Sequence, residues 1–246
     1  MKSKPYIETK VIDNSLEKIA LQGGRTAVVC LQEWQENPLK DDDYFANFAM
    51  NGWDSRCCDT QDSDFCTHRK PSFDDIDWDN GFACQNAQAT IDEVGIQSIV
   101  CYALFWSNDP YYQKFVSKTR HNALMRAYRR LCKQYYFAPL GVYIHSCLRF
   151  YAGEVKGWDN SRIGFIAVDR IVPWQNKPAK YSDKECETLI ENALKAYNAY
   201  ANGEIMCIYI EDDAEDEVIE THENFFSWSD IKPFLDANYG LLKEAA

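Results

Sequence analysis

Residues 182–210 read SDKECETLIENALKAYNAYANGEIMCIYI, and this stretch decides the fold class. Ser182-Asp183-Lys184-Glu185 is a capping-box pattern: the Ser182 hydroxyl accepts from the amide three residues on, and Glu185 reaches back. Leu189, Ile190, Ala193, Leu194, Tyr197 and Tyr200 then form the stripe of an amphipathic helix. Asn202-Gly203 ends it, because glycine tolerates the left-handed conformation of a helix stop. The period then changes, and Ile205–Ile210 reads as a short buried strand. A capped helix feeding a strand points to a chain that mixes both element types.

Working outward, further strands are expected at 6–12, 26–31, 99–106, 142–150 and 163–168. A second helix is expected over 112–135, with Leu124, Ala127, Tyr128, Leu131 and Tyr135 on one face. A third should follow Ser229 as N-cap, with Pro233 in its first turn, where a missing amide costs little. The expectation is a single α+β domain over 1–246, with a mixed β-sheet covered by helices. Between 38 and 95 the pattern weakens into Asp, Asn, Ser and Gly, which marks an irregular acidic insertion or subdomain containing short elements.

The 246 residues carry a net charge of −12, and 46% are hydrophobic, enough apolar surface to exclude a disordered chain. The negative charge repels nucleic acid and anionic membranes. The most apolar run, SIVCYALFW, is too short to span a bilayer, and MKSKPYIETKVIDNS at the start has no apolar leader. Ten cysteines, several of them in apolar runs, fit a reducing cytoplasm, where thiols behave as small hydrophobes.

The charge is segregated. Residues 110–153 contain eight basic and no acidic side chains, which leaves −20 for the rest of the chain. Arg120, Arg126, Arg129, Arg130 and Lys133 fall largely off the apolar stripe of the second helix and form a basic face. That face either contacts phosphates or is neutralised by acidic blocks of the same chain. One block, 41–79, holds eleven Asp, including Asp41, Asp42, Asp43, Asp74, Asp75 and Asp77. The other, 211–220, has seven acids in ten residues: Glu211, Asp212, Asp213, Glu215, Asp216, Glu217 and Glu220. Closely spaced carboxylates either imitate the phosphates of a nucleic acid or are simply solvated.

Cys57, Cys58, Cys66 and His68 are the residues that could hold a metal. Their spacing lacks the short paired knuckles of a structural zinc site, so no cofactor is expected and zinc is the alternative. The histidines are His68, His121, His145 and His222; His145 is followed by Ser146 and Cys147, but nothing local supplies an oxyanion hole or an orienting acid, and His145 reads as a core residue. No glycine-rich strand–loop–helix is present to hold a nucleotide.

Three blocks carry a resemblance: Pro139–Ser146 (PLGVYIHS), Gly157–Val168 (GWDNSRIGFIAV) and Ala196–Ile205 (AYNAYANGEI). In that order they resemble a bacteriophage and mobile-element family that carries PLYLYxHSG, WDSGQxGFIYV and VxxYDxYLxGxVYGYxI. The match covers about residues 138–225. Departures are Asn160-Ser161-Arg162 for Ser-Gly-Gln and Met206-Cys207-Ile208 for Tyr-Gly-Tyr. The resemblance implies a phage-derived cytoplasmic protein and transfers no catalytic residue. In the second block Trp158-Asp159-Asn160 reads as a turn with Trp158 packed beneath it.

The function expected from these readings is a non-enzymatic phage accessory protein. It would bind and inhibit a host protein, such as a defence or nucleic-acid-processing complex, through a nucleic-acid-mimicking acidic surface. The alternatives are a metal-binding protein or enzyme using Cys57, Cys58, Cys66 and His68, and a nucleic-acid binder using the basic helix 114–133.

Overall fold

In the computed structural model of the chain, residues 15–35, 38, 46–50, 86–145, 147–171, 180–215 and 217–242 are described. The chain is α+β; the described residues form helices and two four-stranded sheets. Every described strand pairing is antiparallel, in place of the expected mixed sheet. The physical reason lies in helix α5 (Asp183–Ala201), which joins β6 (Asn160–Asp169) to β7 (Met206–Asp212). A crossover helix permits parallel neighbours, but β6 and β7 belong to different sheets. The chain's contacts gather into two compact units, Met1–Glu36 with Asn198–Ala246, and Asn37–Tyr197.

In the first unit the sheet order is β1 (Ser15–Leu21), β2 (Arg25–Leu31), β7, β8 (Glu217–Phe225). The β1–β2 turn uses Gly23 and Gly24 at φ of 79° and 71°, a region that strains any residue with a Cβ. Alternation places Leu21, Ala27, Val29, Met206, Ile208 and Ile210 on one face, where Ile231 and Leu235 of α6 (Trp228–Tyr239) cover them. Fully burying each of the Leu, Val, Met and Ile side chains stabilises the unit by about 1.5–3 kcal/mol. Val28, Cys30 and Cys207 cluster on the opposite face with Tyr209. The N-cap of α6 is Ser227, not Ser229, so Pro233 lies inside the helix and not in its first turn.

In the second unit the order is β3 (Ala46–Met50), β6, β4 (Tyr135–Ile144), β5 (Leu148–Ala152). Phe137, Phe165 and Ala167 share one face and pack with the helices before β4. These are α1 (Ala87–Val94), α2 (Ile96–Cys101), a π-helical turn at Tyr102–Trp106, α3 (Pro110–Gln113) and α4 (Lys118–Leu131). The sheet's other face meets α5, where Phe150 packs on Tyr197 at 4.9 Å and the Tyr136 hydroxyl donates to Glu187 at 3.0 Å.

Three local expectations are corrected. Residues 99–106 are helical; a short run apolar on all sides reads the same as strand or buried helix. The expected strand 142–150 is a hairpin joining β4 to β5. The expected helix 112–135 is broken, because Ser117 caps a new helix by accepting from the Arg120 amide at 3.3 Å. Within 38–95, β3 and α1 are the short elements described; the rest of the acidic insertion and the expected strand at 6–12 lie outside the described residues. No described helix is long and apolar enough to cross a membrane.

Candidate functional site

The second acidic block forms the end of the β7–β8 hairpin. Asp212 folds over the turn, its Oδ1 accepting from the Ala214 amide at 2.9 Å, an Asx turn. The Asp213 amide donates to Gly24 at 3.0 Å and so ties this turn to the β1–β2 turn beside it. Glu211 is half-buried and pairs with Lys18 at 3.7 Å, an exposed contact worth little. Asp213, Glu215 and Glu217 are exposed and enter no ion pair among the described residues. Asp216 lies outside the described residues.

Register adds a second fact. Asp212 sits directly opposite Glu217 across the hairpin, and Arg25 faces Asp212 from β2. Like charges directly opposite one another destabilise a strand pair. Arg25 offsets part of this repulsion from the β2 side, which leaves a concentration of carboxylates at the hairpin end. β8 is an edge strand in which Glu217, Glu220 and Glu223 are all exposed, so the acidic character runs down the edge.

A network at this edge has no counterpart in the sequence reading. The Tyr239 hydroxyl donates to Glu220 Oε2 at 2.5 Å and accepts from His222 Nε2 at 2.5 Å; His222 Nε2 is also 3.4 Å from Glu220 Oε2. The hydrogen bond from Tyr239, followed by the His222 and Arg25 charges, holds the Glu220 carboxyl below its ordinary range. Burial and then Glu220 push the Tyr239 hydroxyl up to about 12. The signal in the sequence is the i, i+2 spacing of Glu220 and His222, which puts both on the α6 face of β8.

Of the basic residues, Arg120, Arg126, Arg129 and Arg130 lie on α4 and Lys133 lies two residues past its end. Arg126, Arg129, Arg130 and Lys133 are exposed and Arg120 is half-buried. The buried side of that helix is Ala123, Leu124, Ala127 and Leu131.

The other expected positions separate. Asp41, Asp42, Asp43, Asp74, Asp75 and Asp77 lie outside the described residues, as do Cys57, Cys58, Cys66 and His68. Among the described residues, no group of three or more His, Cys, Asp or Glu is placed to hold a metal. His145 is exposed at the β4–β5 turn beside Tyr143, not in the core, because the chain reverses there. Trp158 is 103% exposed and so is not packed beneath its turn. His121 accepts or donates at Nδ1 with the buried Tyr102 hydroxyl at 2.8 Å, a structural partnership.

No family model, curated protein or solved structure matches the chain.

Proposed function

We propose that the protein is a non-enzymatic binding protein that docks its acidic β7–β8 hairpin and β8 edge on a basic protein surface. The observation carrying this reading is the register that sets Asp212 against Glu217 while Asp213, Glu215 and Glu217 stay exposed. Arg25 offsets the pair on the β2 side, and a cationic surface would supply counter-charge to the exposed Asp213, Glu215 and Glu217. A basic groove that normally holds nucleic acid offers that surface. The resemblance to bacteriophage proteins supports the biological form of the proposal: an accessory protein that inhibits a host defence or nucleic-acid-processing complex in the cytoplasm.

The test is partner capture from host lysate by the wild type and by an Asp213→Lys/Glu215→Lys/Glu217→Lys variant, at low and high salt. The reading expects one host protein retained at low salt, weakened by high salt, displaced by added DNA and lost with the variant. Equal capture by the variant contradicts it.

A further inference from the structure

The exposed side of α3 and α4 combines two features that the acidic hairpin does not use. Asp109 caps α3, accepting from the Tyr111 amide at 2.8 Å, and Pro110 starts the helix. This short turn fixes which aromatic points inward. Tyr112 packs on Trp106 in the core at 5.9 Å, while Tyr111 and Phe115, four residues apart, face outward. They are 61% and 54% exposed, with ring centroids 5.3 Å apart. Two adjacent aromatics held this far out of a core have large apolar surface available to a ligand.

The second feature is charge. Lys114 and Lys118 flank the aromatic pair, and both are exposed. Along α4 the outward positions continue through Arg126, Arg129 and Arg130, about 18 Å from Lys118 to Arg130 at 1.5 Å per residue, and Lys133 follows just past the helix end. The chain has no acidic residue from 110 to 153.

We infer that this face is a binding site for single-stranded nucleic acid, with Tyr111 and Phe115 as the stacking platform and Lys114, Lys118, Arg129, Arg130 and Lys133 on the phosphates. Bases in a single strand offer their faces to aromatic rings, and a cationic track follows the backbone. A duplex hides those base faces, so an outward aromatic pair selects against it. An anionic membrane would need a broad aliphatic face, whereas the aliphatic side of α4 is spent in the core. The net charge of −12 does not by itself forbid the site, since the segment 110–153 carries eight basic and no acidic side chains and a chain's overall charge is screened at ordinary ionic strength. The site lies in a different compact unit from the β7–β8 hairpin and does not depend on the partner proposed there.

Fluorescence anisotropy with a labelled oligo-dT strand, a duplex control and phosphatidylglycerol vesicles tests the inference. The expected result is preferential single-strand binding, with log affinity falling against log salt at a slope of about −0.7 for each phosphate contacted. Arg129→Glu/Arg130→Glu should weaken binding at least tenfold and flatten that slope. Tyr111→Ala/Phe115→Ala should weaken it about tenfold and leave the slope unchanged. Both variants alter exposed side chains, and circular dichroism matching the wild type establishes that they fold. Absence of binding at low salt overturns the inference. So does duplex binding equal to single-strand binding with no effect of Tyr111→Ala/Phe115→Ala. Vesicle capture without oligonucleotide binding overturns it in favour of a membrane surface.

Discussion

The Tyr239 hydroxyl on α6 stands 2.5 Å from the His222 imidazole on β8, and it donates at the same distance to Glu220 on the same strand. One phenol thus fastens a helix to an otherwise open sheet edge. Its pH behaviour follows from the two shifts. Glu220 titrates below its ordinary range in the folded chain, so its contribution is complete above that range and is lost as pH falls through the lowered value. Tyr239 titrates near 12 against an unfolded value of about 10, so its contribution is complete below pH 10 and is lost as pH rises through 12. Tyr239→Phe should flatten the acid limb of a pH–stability curve; an unchanged acid limb would show that the contact carries no linkage.

Gly141 on β4 lies opposite Tyr151 on β5, and a Cβ built there comes within 2.6 Å of the ring and 2.8 Å of Val155. Gly141→Ala should therefore displace the ring and cost about 1–3 kcal/mol, as overpacking does. Tyr151→Ser should make the same alanine much cheaper. A double-mutant cycle measured by urea unfolding reads the coupling; additive costs would mean the ring is not the obstacle.

Cys30 and Cys207 face one another across β2 and β7, and both are buried. Burial, then the neighbouring thiol, pushes Cys30 up to about 11, and burial raises Cys207 as well. The thiolate is the reacting species, so native protein at neutral pH should take iodoacetamide at exposed Cys147 long before either. Mass spectrometry of the alkylated peptides gives the order; early labelling of Cys207 would contradict the burial.

Much of this architecture was readable where local chemistry dictates local structure. The capping box at Ser182 is formed as written, with the Ser182 amide and hydroxyl each donating to Glu185 at 2.7 Å. The strands at 26–31, 163–168 and 205–210 lie within or beside β2, β6 and β7. What stayed hidden depends on partners distant in sequence. β8 gives no strand signal in the sequence, because an edge strand facing solvent lacks an apolar alternation. Residues 99–106 looked like a strand because an element buried all round has no readable period. The acidic block 211–220 was visible as composition. Its meaning as a candidate site came from the register that opposes Asp212 and Glu217, which no spacing rule supplies.

Reversing the hairpin charges also bears on folding. Glu217→Lys removes the like-charge pair with Asp212 and offers a cross-strand attraction, so it should stabilise the chain by about 0.2–1 kcal/mol. Thermal unfolding checks this. A loss of stability would mean that Glu217 already has a favourable role in the hairpin.

The most direct test of the central claim is capture of a host partner by wild type and by the Asp213→Lys/Glu215→Lys/Glu217→Lys variant, read by mass spectrometry at low and high salt. The account predicts one partner, salt-sensitive and DNA-displaceable, that is lost with the variant while the fold is kept. The same partner retained equally by the folded variant would contradict it.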